Sequence, residues 1–557
     1  MKNKYLFILI VLLISVLSFY RLVRPGYFSM QDDVQILRLR QMDKCFEDRQ
    51  IPCRYTPDEG LGYGYPLFNF YPPFPYILGE LFHLMGFSFI ESIKIVFILG
   101  FALAGLGMFL WAKLFWGDWG GLVSSVFYIF VPYRALDGYV RGALGEFWGL
   151  TLFPYLFLFL TLAVFKRKNF WWFFFSLTFC LLLLTHILSS VVVIPLLVIY
   201  FLFLITKEKQ KKKSIFIFLF SLLLAILMSA FFVLPMAVES RLTTIKTMTE
   251  GYFDFRAHFT TLNQLFLSRF WGYGASLFGP VDDMSFQIGI LHWLIPLVAI
   301  FFLFIKRKNY ISVKNKEFFV IFVLLGFLAA FLTHNKSTFI WELIKPMKYF
   351  QFPWRFLMVV AFCFSFSAGF LITLINGKKI KIIISLLLIL TAIIFNIGYF
   401  KEDIWFSKIT DEEKLTGSEL IKQSGAGIRD YWPIYGQTYP KNFSFNKPLF
   451  LSGLGKIKEF SKNSNSAEGN LVVETEKAQV VFPIVFFPNW QLFINGKIAN
   501  YELDKELGLI KAEFPKGEAK FILKFYNTPV RRLGNLVSLL TFMGIFISFA
   551  KRRMEST

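Results

Sequence analysis

The sequence predicts an all-α, polytopic membrane protein of about twelve transmembrane helices, with a β-rich external domain inserted before the last. Three observations lead there. Apolar stretches of about 18 residues or more recur along the chain, each long enough to cross ~30 Å of hydrocarbon. Hydrophobic residues make up 56% of the 557, above the roughly 45–50% of soluble domains, and mean hydropathy is +0.55. Lysine and arginine collect at the ends of the apolar stretches rather than within them.

The first stretch begins with Lys2 and Lys4 and runs apolar from Tyr5 to Tyr20. It exceeds the ~7–15 residue core of a signal peptide and no small-residue cleavage site follows, so it reads as an uncleaved signal anchor. Spans are expected near 5–23, 91–112, 118–133, 147–165, 169–187, 188–206, 215–235, 287–305, 317–334, 354–375, 380–399 and 532–549. This count places the basic clusters at 166–168, 207–213, 306–308, 378–381 and 551–553 on the side of Lys2 and Lys4, the cytoplasmic side, with both termini. The same placement accounts for the net charge of +22 without a nucleic-acid partner. Residues 72–86 are apolar but short and carry Pro72, Pro73 and Pro75. Counting them as a span would invert every later loop, so they read as a re-entrant or juxtamembrane helix.

The chain then divides into a membrane domain, 1–399, whose first external loop is 24–90; an external domain, 400–530; and a last helix with a cytoplasmic tail, 531–557. Strand-like alternation marks 470–473, 479–487, 490–494, 508–514 and 520–526. Asn495-Gly496 supplies a type I′ turn between two of them. Cys45 and Cys53 lie in the first external loop, whereas Cys180 and Cys363 fall in spans. An oxidising compartment favours a Cys45–Cys53 disulfide; the alternative is two free thiols.

The external face also collects the chemistry-bearing residues. Asp32-Asp33 open the first loop. Adjacent carboxylates at a membrane surface repel each other, which raises a pKa and suits a general base. Either could instead cap the helix starting near Val34. Positive charge on the same face comes from Arg134 and Arg141, from Arg269, and from Lys348 and Arg355. Arginine matches phosphate with two parallel hydrogen bonds, and snorkelling at helix ends is the competing explanation. Glu146 can pair with Arg141 or Arg134, or contact substrate; His186 can be an interfacial histidine or a substrate donor. Tyr63, Tyr65 and Tyr71 can stack on sugar rings or anchor the interface. Asp282-Asp283 follow Gly279-Pro280 and read as a solvated loop. No P-loop, G-x-S-x-G elbow or paired C-x-x-C is present.

Gln31-Asp32-Asp33-Val34-Gln35, the stretch Gly62-Tyr63-Gly64-Tyr65-Pro66-Leu67-Phe68-Asn69-Phe70-Tyr71-Pro72-Pro73, and Val131-Pro132-Tyr133-Arg134 running to Arg141-Gly142-Ala143-Leu144-Gly145-Glu146 resemble bacterial membrane proteins labelled 6-pyruvoyl-tetrahydropterin synthase-related. The tail Phe487-Pro488-Asn489-Trp490-Gln491-Leu492-Phe493-Ile494-Asn495-Gly496-Lys497 is similar to the external domain of YfhO-type proteins. Both groups resemble the GT-C superfamily of polyprenyl-phosphate-dependent glycosyltransferases. The resemblance implies a GT-C-like fold in a bacterial plasma membrane. It also implies inverting transfer of a sugar from a polyprenyl-phosphate-linked donor, taken from the bilayer, to a cell-envelope acceptor. The acidic motif falls on Asp32 and Asp33. These are adjacent rather than spaced as D-x-D or E-x-D, which leaves open a divalent cation (Mg or Mn) with those two as its ligands. A lipid or polysaccharide transporter would want ionisable groups deep within helices. A non-catalytic envelope assembly factor would use the β domain as its binding module.

Overall fold

The computed structural model describes residues 2–279, 281–305 and 315–554. Among them, eight helices are long and apolar enough to cross a membrane, or nine if the pair Lys211–Met228 and Ala230–Leu242, bent by 78°, is one span. The chain is a polytopic, mostly helical membrane protein with a C-terminal β-sheet region. This count falls short of the expected figure of about twelve for two reasons. Helices Asn169–Leu183 and Ile290–Ile305 are apolar but too short, and one 41-residue helical stretch, Phe89–Ile129, covers two expected spans. That stretch is a hairpin: Gly117 turns the chain at φ 71°, and Ser125 donates to the carbonyl of Gly105 at 2.7 Å. The basic cluster at 306–308 lies outside the described residues. Residues 74–84 form an 11-residue helix, Phe74–Leu84, about 16 Å long at ~1.5 Å per residue and too short to span.

The chain forms two compact units. The first contains 1–33, 93–225 and 248–409. Its core is aromatic: Trp111 stacks on Phe366 at 4.0 Å and on Phe362 at 5.1 Å, and its indole N–H donates to Tyr200. Close helix approach depends on small residues. A Cβ on Gly369 would lie 2.2 Å from the Gly120 carbonyl oxygen. A two-residue antiparallel ribbon joins Tyr27–Phe28 to Trp405–Phe406, so residues expected at the start of the external domain belong to this unit.

The second unit contains 34–92, 226–247 and 410–557. Its sheet has seven strands: β1 Leu449–Ser452, β2 Gly455–Lys462, β3 Ser466–Val485, β4 Trp490–Ile494, β5 Lys497–Ala499, β6 Glu502–Leu503 and β7 Leu509–Phe525. The order is β1-β3-β7-β4-β5, with β2 on β3 and β6 on β7. The long β3 and β7 each absorb two expected strands. Asn495 and Gly496, at φ 50° and 78°, turn β4 into β5 as their residue types require. β1, β2, β5 and β6 fall outside the expected strands. β2 bulges between Ile457 and Glu459, which breaks the period of two that marks a strand. Tyr55 ties the first loop to the sheet, donating its hydroxyl to the Val485 carbonyl at 2.9 Å. Buried Arg531 of the last helix donates to Glu239 at 2.9 Å. Cys45 and Cys53 are joined by a disulfide with Cα atoms 5.4 Å apart.

Candidate functional site

The site in the first unit is built on a backbone irregularity. After the short helix Pro132–Ala135, the chain widens into a π turn, Leu136–Arg141, that ends at Gly142 with φ 63°. A Cβ on Gly142 would sit 2.2 Å from the Met30 sulfur, so glycine is what lets residues 30–32 pass. There the Gln31 N–H donates to the Val140 carbonyl at 3.0 Å and the Asp32 N–H to the Arg141 carbonyl at 2.8 Å. This docks the first aspartate on the arginine's own turn. Asp32 is exposed and Asp33 buried, and the Asp32 charge acts on both Arg141 and Arg355. The helix that follows runs Gln35–Glu47 with Val34, not an aspartate, at its N-cap.

Glu146, in the first turn of helix Leu144–Lys166, holds the two arginines. One carboxylate oxygen accepts the Tyr133 hydroxyl; the other lies 3.0 Å from Arg141 Nη1 and 3.4 Å from Arg355 Nε. Arg141 also pairs with Asp137 at 2.5 Å, and its guanidinium sits 4.7 Å from the Trp354 ring centre. Arg355 donates to the Phe350 carbonyl at 2.9 Å and to Gln351 at 2.8 Å. The side chains of Arg141 and Arg355 are 7% and 12% exposed. Burying ions costs several kcal/mol each, offset only by good pairing. A cluster that keeps two largely buried guanidinium groups beside an exposed carboxylate is therefore a functional-site candidate. Burial raises the Asp137 carboxyl well above the usual range, with Glu146 adding to the effect and Arg141 opposing it.

His186 is the N-cap of helix Ile187–Leu204, its Nδ1 2.7 Å from Ser189 Oγ. Burial pushes it down to about 4 against the pull of Glu146, so it is a neutral cap beside the cluster. On the Trp354 side, Ser276 Oγ accepts the indole N–H at 3.3 Å and lies 2.8 Å from His258 Nδ1 and 3.2 Å from Asp282 Oδ1. The other Asp282 oxygen accepts from Gln264 at 2.7 Å. Asp282 is thus buried, not solvated as its Gly-Pro context suggests; Asp283 is exposed.

Of the expected site residues, the structure brings together Asp32, Arg141, Glu146, His186 and Arg355. Arg134 lies behind the cluster, its charge acting on Asp137: it is fully buried, donates to the Gly100 carbonyl at 3.0 Å, and lies 4.6 Å from the Phe147 ring and 5.6 Å from Tyr128. Arg269 caps a helix end, donating to the Phe395 carbonyl at 2.8 Å and to the Tyr399 hydroxyl at 3.2 Å. Lys348 is exposed, 5.4 Å from the Tyr349 ring. Tyr63, Tyr65 and Tyr71 belong to the second unit. Tyr63 is buried against Phe445. Tyr65 is buried, its hydroxyl donating to Gly427 and accepting from the Tyr431 N–H. Tyr71 lies under the Arg38 guanidinium at 4.2 Å. Sequence reasoning missed Asp137 and Tyr133; the i,i+4 spacing of Asp137 to Arg141 was the available signal. Among the described residues, no group of three or more His, Cys, Asp or Glu side chains could hold a metal ion.

Residues 68–400, more than half of the chain, match the family described as "6-pyruvoyl-tetrahydropterin synthase related domain; membrane protein". The match includes Arg141, Glu146, His186 and Arg355 and leaves Asp32 outside. No curated protein matches the chain. The chain belongs to the 6-pyruvoyl-tetrahydropterin synthase related family of membrane proteins.

Proposed function

We propose that this protein is a GT-C-like glycosyltransferase of a bacterial plasma membrane. It moves a sugar from a polyprenyl-phosphate-linked donor to a cell-envelope acceptor on the external face, with both termini cytoplasmic. One observation carries the reading: an exposed carboxylate, Asp32, docked by its backbone beside two guanidinium groups that share Glu146. Asp32 takes the proton of the acceptor hydroxyl, the oxygen attacks the anomeric carbon from the face opposite the phosphate, and the carbon–oxygen bond to phosphate breaks. The charge that develops on the departing phosphate falls to Arg141 and Arg355, whose forked donors suit its oxygens. Asp32 is favoured over Asp33 as the base because it is exposed where Asp33 is buried.

Mass spectrometry of cell-envelope glycans from cells with and without the gene is the test that also names the sugar. The reading expects a glycan that lacks one residue and a polyprenyl-linked sugar that accumulates. An unchanged glycan profile with a changed distribution of lipid-linked intermediates across the membrane would favour transport instead.

A further inference from the structure

The segment between helices Lys316–Thr333 and Pro353–Leu374 is held at both ends by candidate spans. It does not loop away from them. It folds into two short helical pieces, Thr338–Leu343 and Lys345–Phe350. Trp341, Met347 and Phe350 are buried, with the Trp341 ring stacked on Phe255 at 5.2 Å and 5.7 Å from Phe356. These anchors fix what the outer side presents. Phe339 and Leu343, four residues apart and therefore on one helix face, are 62% and 79% exposed. Ile344 and Tyr349 are exposed beside them. Lys345 and Lys348, three apart in a 3₁₀ turn, eclipse each other, and both are exposed, as is Lys336. Glu342, the acidic residue of the piece, is turned to Arg256 at 3.4 Å.

In water this arrangement would waste apolar area. Beside a bilayer it has the form of an interfacial anchor, apolar side chains at acyl depth and lysines at the headgroups. We infer that residues 336–349 form a membrane-surface anchor whose partner is an anionic lipid leaflet. Phe339 and Leu343 enter below the headgroups, and Lys345 and Lys348 engage lipid phosphates. The inference is independent of the glycosyltransferase reading, because it concerns where the segment sits and not what the protein transfers.

The test uses the full chain in phosphatidylcholine vesicles with and without phosphatidylglycerol. Nitroxide labels at Phe339→Cys and Leu343→Cys are read by collision with oxygen and with a water-soluble nickel chelate, in a background with Cys180 and Cys363 replaced by alanine. Ile498→Cys, 75% exposed on the β4–β5 hairpin, is the aqueous reference. The anchor predicts oxygen-dominated collision at 339 and 343, nickel-dominated collision at 498, and greater depth when anionic lipid is present. Lys345→Glu with Lys348→Glu should move the labels toward water in anionic vesicles. Nickel access at 339 and 343 equal to that at 498 would overturn the anchor. Depth indifferent to both anionic lipid and charge reversal would overturn the lipid-phosphate contacts.

Discussion

Replacing Glu146 by Gln should destabilise the first unit more than a surface change would. The substitution keeps the shape and one acceptor for Tyr133, but removes the charge that lies 3.0 Å from Arg141 and 3.4 Å from Arg355. Breaking a buried ion pair by removing one partner typically costs about 3–5 kcal/mol, because the other charge is left uncompensated. Asp137 still accompanies Arg141, so the lower end, about 3 kcal/mol, is expected. The protein carries its own reporter. Cys180 and Cys363 are free, buried and both in the first unit, while Cys45 and Cys53 are bridged. A thiol-reactive dye therefore reads unfolding of that unit during a thermal ramp in detergent. Glu146→Gln should lower the midpoint clearly. Adding Arg355→Gln should cost less than the sum of the single changes, since the orphaned charge then disappears. A midpoint unchanged in Glu146→Gln, or strict additivity in the double variant, would refute the idea that Glu146 holds the two arginines.

In the second unit, burial pushes Glu59 up to about 8, with Arg38 opposing. The unfolded chain ionises this carboxyl near its ordinary value of about 4.3. Stability should therefore fall by roughly 1.4 kcal/mol per pH unit between those limits and level off above them. Glu59→Gln should flatten that dependence in tryptophan-fluorescence melts, and parallel profiles for the two proteins would contradict it. Gly142→Ala should reduce sugar transfer, because its Cβ meets Met30 where φ is already positive, and Met30→Ala should partly restore it; full activity in the single variant would show that the close approach does not position Asp32. Alkylation before reduction should leave Cys45 and Cys53 unmodified, and labelling of both would remove the disulfide.

What could be read from the sequence was what is local or strongly patterned. Arg141, Glu146, His186 and Arg355 stood out because charge at the end of an apolar run is costly wherever it lies. Nothing local says that Arg134, seven residues before Arg141, is surrounded by Phe101, Tyr128 and Phe147 and meets the cluster through its charge on Asp137. Asp282 looked solvated because its Gly-Pro neighbourhood signals a turn, yet its partners Gln264 and Ser276 come from elsewhere in a long loop. The division into units was likewise hidden. Residues 34–92 join the sheet through contacts such as Tyr55 to Val485, 430 positions apart, a separation no periodicity encodes.

The most direct measurement is transfer from a polyprenyl-phosphate-linked sugar in reconstituted membranes, comparing wild type with Asp32→Asn, Asp33→Asn and the double variant. Asparagine keeps the size of aspartate but is not a base, and removal of a general base typically costs ~10²–10⁴-fold in rate. The account predicts a loss of that order in Asp32→Asn with donor binding retained, a smaller loss in Asp33→Asn, and a double variant no more active than Asp32→Asn. Wild-type transfer in the double variant would contradict it.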